Sequence, residues 1–225
     1  MNVGFYCLSY KDRRREAMEK VFGKLGITAE FYSGVGQDDP RLKNAGNLAR
    51  SWSMTYGHLD LIKKFSESDK DYGIICEDDI LIRKDFMERL PEILSGFDTL
   101  GLDILMLGYL CENPIDTYRN FPTLLDRGMK YLGYPDGLWG GQMYLISKAQ
   151  AGVLLEKFSG GYADRSLTEA IAPFSPDWTI TKEGRRALLY PLLVVEKYYE
   201  VYDDEHQNRS HLACYNYTYR AELFD

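Results

Sequence analysis

Three consecutive carboxylates, Glu77-Asp78-Asp79, follow a short apolar run, Tyr72-Gly73-Ile74-Ile75-Cys76. Such a run is typical of a strand that is buried on both faces. Adjacent carboxylates repel one another, so at a strand exit we expect a compensating cation or full solvation. Ligands of open α/β sheets bind beyond the carboxyl ends of the strands, and oxygen ligands suit Mn²⁺ or Mg²⁺ bridged to phosphate. The triplet therefore predicts a metal and phosphate site, and a solvated cluster that caps the next helix is the alternative.

The order within the triplet predicts a division of tasks. In extended backbone, alternate side chains point to the same side of the strand. Glu77 and Asp79 are therefore predicted to face one metal ion together, whereas Asp78 is free to bind a hydroxyl of a ribose or another sugar.

The end of the first strand is a second candidate binding region. The polar residues 9–15 lead into a helix, and a helix N-terminus with nearby cations can bind an anion. For Arg14 and Arg15 we expect instead an exposed helix face that balances Glu16 and Glu19. No G-x-G-x-x-G follows the strand and no G-x-x-x-x-G-K-[ST] is present, which disfavours a Rossmann dinucleotide site and a P-loop.

The elements that must position these residues alternate between strands and helices. This alternation predicts an α/β fold with a mainly parallel sheet covered on both faces. The predicted strands are residues 3–8, 27–35, 72–76, 102–110, 138–147 and 188–195. The predicted helices are residues 13–25 with Asp12 as N-cap, 48–66, 85–94, 148–157 and 166–171. Residues 112–135 are rich in proline and glycine and predict a long loop.

Composition narrows the class of protein. The 225 residues carry 27 Lys and Arg against 34 Asp and Glu, a net charge of −7, which argues against a nucleic-acid partner. The chain opens without a leader, and its apolar runs fall short of the about 20 residues that span a bilayer, so we expect a cytoplasmic protein, either bacterial or in a viral host. The four cysteines form no C-x-x-C pair and are expected to be reduced and structural.

Short segments in order along residues 1–195 resemble family 25 glycosyltransferases, the lipooligosaccharide and collagen β-galactosyltransferase group. The segments are D-R-R-x-x-x-M from Asp12, G-I-T-A-E-F-Y from Gly26, Tyr56-Gly57-His58, Y-G-I-I-C-E-D-D-I from Tyr72, G-Q-M-Y-L-I-S from Gly141, and Ser175-Pro176-Asp177. The chain departs from the family around residues 50–53 and in its histidine-bearing tail.

The resemblance implies a single domain of the GT-A type over residues 1–225, which binds a nucleotide sugar, usually a UDP-sugar, with a divalent metal. Residues 1–110 would then form the nucleotide-sugar half, and residues 111–225 the acceptor half and tail. The triplet would supply the metal and donor motif, and His206 or His211 a further metal ligand. The implied lining of the nucleoside pocket is Leu8, Ser9, Tyr10, Gly34 and Val35.

The implied reaction moves a hexose or pentose to a hydroxyl of a glycan or glycoprotein acceptor, with inversion of configuration. A carboxylate must then take the proton of that hydroxyl. Asp177 is the candidate base, and an N-cap for a helix over residues 178–185 is the alternative. Arg50 is a candidate contact of the diphosphate, and Trp139 either stacks on a sugar or packs at a strand entry. His58 is expected to pack beside the site.

Two other functions remain open at this point. A non-catalytic module could bind a nucleotide or sugar on the same fold. A phosphohydrolase of the haloacid dehalogenase type also uses acidic residues after a strand, but it needs D-x-D-x-T near the first strand. Here that strand ends in Leu8-Ser9-Tyr10, and residues 77–80 contain no threonine.

Overall fold

The computed structural model describes residues 2–110, 121–197 and 205–224, and of residues 206 and 207 the backbone alone. The strands in these ranges are β1 (Val3–Leu8), β2 (Ala29–Tyr32), β3 (Tyr72–Glu77), β4 (Ile80–Ile82), β5 (Ile104–Leu110), β6 (Thr123–Arg127), β7 (Met129–Gly133), β8 (Trp139–Ser147), β9 (Arg186–Tyr190) and β10 (Val194–Glu196). Within the described residues eight strands form one sheet in the order β2-β1-β3-β8-β5-β9-β7-β6, and β4 pairs with β10 in a second sheet.

The large sheet is mixed. Strands β7 and β8 run opposite to the other six, because β8 is antiparallel to both β3 and β5, and β7 to both β6 and β9. Strands β1, β2 and β3 pair in parallel, as do β5 and β9. Most strands thus end at one edge, which we call the carboxyl edge. The predicted α/β class, with a mixed and mainly parallel sheet between helices, is confirmed.

Helices cover both faces of the sheet. They are α1 (Asp12–Leu25), α2 (Ala49–Glu67), α3 (Phe86–Leu100), α4 (Lys148–Lys157), α5 (Tyr162–Arg165), α6 (Pro176–Thr179), α7 (Glu205–Thr218) and α8 (Ala221–Phe224). Successive side chains of β1 point to opposite faces of the sheet and enter two separate apolar clusters. Tyr6 packs in the cluster that includes α2 and α4, and Phe5 packs in the cluster that includes α1 and α3. Burial on both faces explains why these strands are apolar without clean alternation.

Several element bounds differ from the sequence prediction. Helix α1 begins at Asp12, with Lys11 as its N-cap, so Asp12 is not the cap. Helix α3 continues to Leu100 instead of ending at residue 94, because Phe97 is buried and Gly101 ends the helix at φ 57°. The predicted strand over residues 27–35 is reduced to β2.

The larger differences between the predicted and the observed elements lie in the second half of the chain. The loop predicted over residues 112–135 contains the β6–β7 hairpin, whose turn is at Gly128 with φ 81°. The helix predicted at residues 166–171 is absent from those residues, and α5 precedes them. The apolar run 188–195 is divided between β9 and β10, which lie in different sheets.

Two further expectations concern cysteines and membranes. Cys7, Cys76 and Cys214 are buried free thiols, as predicted, while Cys111 lies outside the described residues. Among the described residues, no helix is both long and apolar enough to cross a bilayer.

Candidate active site

Four carboxylates meet at the carboxyl edge of the sheet. Strand β3 ends at Glu77, Asp78 and Asp79 follow in a bend, and Glu196 ends β10. Burial, together with the charges of Glu77 and Glu196, raises the pKa of Asp79 to about 8. The four side chains therefore interact electrostatically, and we call them the acidic cluster.

Arg14 contacts two members of this cluster. Its Nη1 lies 3.2 Å from Asp78 Oδ1 and 3.1 Å from Asp79 Oδ2. The expectation of an exposed Arg14 was therefore wrong, whereas Arg15 does pair with Glu19 on the helix surface. The alternation argument also fails, because the backbone bends after Glu77 and brings Asp78 and Asp79 to the same guanidinium.

The cluster has the oxygen chemistry of a divalent-metal site, but its ligands are not fully assembled. Asp79 Oδ1 is buried and accepts no hydrogen bond from the described residues. A hard cation would satisfy this oxygen and offset the neighbouring charges. Over residues 2–110, 121–197 and 205–224, however, no group of three His, Cys, Asp or Glu side chains is arranged to hold a metal. Arg14 contacts the other oxygen of Asp79, Oδ2.

Asp78 is bound to the end of the first strand. Leu8 pairs with Glu77 across β1 and β3, so Ser9 and Asp78 leave the sheet side by side. The buried Ser9 hydroxyl donates a hydrogen bond to Asp78 Oδ2 at 2.8 Å. This bond and Arg14 hold both oxygens of Asp78.

The residues predicted to line a nucleoside pocket lie on two neighbouring strand ends. Leu8 is buried, and a Cβ on Gly34, whose φ is 77°, would lie 3.4 Å from Leu8 Cδ1. Val35 is also buried, and its carbonyl accepts a hydrogen bond from Ser53 Oγ at 2.7 Å. Tyr10 is 65% exposed.

Glu77 is contacted by a buried histidine. His58, in α2, is fully buried, with Nε2 3.4 Å from Glu77 Oε1 and Nδ1 3.1 Å from the Tyr144 hydroxyl. The histidine thus packs beside the site, as expected, and restrains the orientation of Glu77.

Asp177 lies near the acidic cluster but is held by a different element. It is the second residue of α6, whose N-cap is Ser175, so it does not cap a helix over residues 178–185. Its Oδ1 accepts the backbone N–H of Gly140 at 2.7 Å. Burial raises its pKa most, the Gly140 bond lowers it, the charge of Glu77 raises it further, and the Lys182 ammonium lowers it. A carboxyl group with a raised pKa is suited to proton transfer.

The tail also reaches the site. His211 of α7 has Nδ1 2.8 Å from Glu196 Oε2, and Gln142 Nε2 donates to the same oxygen at 3.3 Å. The side chain of His206 lies outside the described residues. Arg50 is exposed in the first turn of α2.

Sequence reasoning missed Glu196 and misplaced Arg14. Glu196 follows a buried apolar run just as Glu77 does, so the same signal was present. Three consecutive arginines face three directions on a helix, and sequence alone does not say which one meets the sheet.

Comparisons with known proteins give the following similarities. The sequence model described as "Glycosyltransferase family 25 (LPS biosynthesis protein)" matches residues 5–163. A search of curated proteins gives no match. Among solved structures, HddC from Yersinia pseudotuberculosis is similar at 12% identity and TM-score 0.37, over 96% of this chain and 79% of that one. The same protein complexed with GMP-PN is similar at 10% identity and TM-score 0.41, over 96% of this chain and 100% of that one. CMP:2-keto-3-deoxy-manno-octonic acid synthetase complexed with CTP is similar at 16% identity and TM-score 0.36, over 76% of this chain and 80% of that one.

Proposed function

Because the chain belongs to glycosyltransferase family 25, we propose that it transfers a sugar from a UDP-sugar to a hydroxyl of a glycan or glycoprotein acceptor, with inversion. Family membership identifies the chain as a glycosyltransferase enzyme and removes the phosphohydrolase alternative. The observation that carries the finer proposal is the acidic cluster, in which the buried Asp79 Oδ1 has no hydrogen-bond partner among the described residues.

The proposed donor site lies between the end of β1 and the acidic cluster. Leu8, Gly34 and Val35 would form the apolar side of a nucleoside pocket. Asp78 would bind a hydroxyl of the donor through the oxygen that now accepts from Ser9. Arg50 and Tyr10 stay candidates for contacts with the diphosphate and nucleoside.

Glu77 and Asp79 are the proposed ligands of Mn²⁺ or Mg²⁺, with His211 or His206 and the newly found Glu196 as further candidates. A bound divalent cation would stabilise the negative charge that grows on the leaving diphosphate. Arg14 would turn from Asp79 towards that diphosphate, and it would thereby keep a counter-charge in the site at each stage.

Asp177 is the proposed general base. The Gly140 N–H holds one of its oxygens, which fixes the carboxyl group for an incoming hydroxyl. Burial and Glu77 raise its pKa, so it binds a proton more strongly than an ordinary aspartate does. It would accept the proton of the acceptor hydroxyl as that oxygen attacks the anomeric carbon.

We propose one domain for both substrates. Strand β8 of the second half lies between β3 and β5 of the first half, which supports a single unit with a donor half, 1–110, and an acceptor half, 111–225.

Thermal unfolding with UDP-, GDP- and dTDP-sugars, with and without Mn²⁺, tests the donor and the metal together. We expect UDP-sugars to raise the melting temperature only when Mn²⁺ is present, and Asp79→Asn to abolish this effect. Asp126→Asn, on the exposed face of β6, controls for the loss of one charge. An equal shift without Mn²⁺ would reject the metal assignment, and binding without hydrolysis or transfer would favour the non-catalytic module.

A further inference from the structure

Two tryptophans, one exposed and one half-buried, form an aromatic pair beside the proposed base. Trp139 begins β8 and is 44% exposed, and Trp178 lies in α6. Their ring centroids are 5.5 Å apart at an interplanar angle of 71°, an edge-to-face contact. A single exposed apolar residue is common, but here the exposed Trp139 ring is backed by the half-buried Trp178 ring at the edge of a polar site, and such a pair offers an apolar surface to a ligand. We call Trp139 and Trp178 the aromatic pair.

Lys182 fixes the segment that carries Trp139. Its Nζ donates to the carbonyl oxygens of Asp136, at 2.7 Å, and Leu138. The same ammonium lies 4.5 Å from the ring centroid of Tyr134 and 5.4 Å from that of Trp139. These contacts anchor the turn before Trp139 and lower the entropy that a ligand would lose by ordering it.

A single hydrogen bond connects the aromatic pair to Asp177. The Gly140 N–H donates to Asp177 Oδ1 at 2.7 Å, and each partner of this bond directly adjoins one of the two tryptophans in the chain. Gly140 has φ 116°, and a Cβ there would lie 2.8 Å from the backbone nitrogen of Leu110. Only glycine therefore permits this close approach of β8 to the end of β5. The carboxyl group and the aromatic pair form one rigid unit.

We propose that the aromatic pair is the acceptor subsite and that the acceptor ends in a pyranose ring, which stacks its C–H face on the pair. The inference rests on the proposed function. One face of a pyranose carries C–H groups that match the electron-rich face of an indole. Its hydroxyls lie around the rim of the ring, so stacking would bring one of them to Asp177. A hydroxylated peptide side chain offers no comparable flat face.

Steady-state kinetics separates this proposal from the proposed function. The assay contains UDP-sugar and Mn²⁺, and its acceptor probes are the methyl pyranosides of glucose, galactose and mannose. Trp139→Ala and Trp178→Ala should each raise the KM for these acceptors about tenfold or more. Trp139→Phe should restore most of the affinity. The rise in melting temperature caused by UDP-sugar with Mn²⁺ should persist in both alanine variants, because neither tryptophan belongs to the proposed donor site. Tyr217→Ala, which removes a 48% exposed aromatic side chain from α7, is the matched control.

Tryptophan fluorescence gives a second readout that does not depend on turnover. The chain has three tryptophans, and the one outside the pair, Trp52, is 1% exposed. Pyranosides should change the emission of the UDP- and Mn²⁺-loaded wild type but not that of Trp139→Ala. Unchanged acceptor KM in both alanine variants, or an emission change with hydroxylated peptides and none with pyranosides, would overturn the subsite. Absence of UDP-sugar hydrolysis in the wild type would instead overturn the proposed function.

Discussion

Asp79 is a buried carboxyl group among like charges, and Asp79→Asn removes its titratable proton while it keeps its size. Burial and the charges of Glu77 and Glu196 raise its pKa from 3.8 to about 8, and Arg14 offsets only part of this effect. The structure therefore predicts a distinctive pH dependence for the metal-free protein, which the asparagine variant should lack.

The direction of the pH effect on stability follows from the pKa of Asp79, which is 3.8 in the unfolded chain and about 8 in the folded chain. Between about pH 4 and pH 8, the folded chain keeps a proton on Asp79 that the unfolded chain has lost, so the free energy of unfolding falls as pH rises. The slope from this one group is about 1.4 kcal/mol per pH unit. The destabilisation is absent below pH 4 and grows to the order of several kcal/mol by about pH 8.

Urea unfolding in EDTA at pH 5, 6, 7 and 8 measures this effect. The stability of Asp79→Asn relative to wild type should increase steadily over this range, and Asp126→Asn gives the general effect of losing one carboxylate. Mn²⁺ should stabilise the wild type, increasingly so at higher pH because binding displaces the Asp79 proton. Parallel pH curves for wild type and Asp79→Asn would refute the reasoning.

Three further predictions test other parts of the molecule. Arg14→Gln should lower the melting temperature in EDTA but increase the rise caused by Mn²⁺, because the competing cation is gone; an unchanged rise would contradict this. Asp177→Asn should reduce the rate of transfer about 10²–10⁴-fold, while the thermal shift with UDP-sugar persists. In the wild type, kcat/KM should fall on acidification at a pH above the ordinary aspartate pKa, because the pKa of Asp177 is raised. Gly96→Ala should cost about 1–3 kcal/mol of unfolding free energy, since its Cβ would lie 2.2 Å from the Tyr131 ring, whereas Gly23→Ala on the open surface of α1 should not destabilise the chain.

The parts of the fold set by local pattern could be predicted from sequence. Strands β1, β3, β5 and β8 are short apolar runs, and α4 has the predicted bounds. The β6–β7 hairpin was missed because proline and glycine near its ends and turn also indicate a loop. The helix α3 was cut short because the burial of Phe97 depends on tertiary packing that its local sequence does not show.

The site could be predicted only where its residues are adjacent in sequence. The triplet at the end of β3 was found, but Glu196 joins it through the pairing of β10 with β4, which is a non-local contact. Alternation predicted the wrong orientation for Asp78 because the chain stops being extended after Glu77. The contact between Arg14 and the cluster depends on how α1 packs on the sheet, which a run of three arginines does not specify.

Titration of Mn²⁺ into the protein, followed by electron paramagnetic resonance with and without UDP, tests the metal assignment most directly. The account predicts that wild type binds one Mn²⁺, that UDP tightens this binding, and that Asp79→Asn loses both effects while Asp126→Asn keeps them. Equal Mn²⁺ binding by Asp79→Asn, or UDP affinity that is the same with and without Mn²⁺, would contradict it.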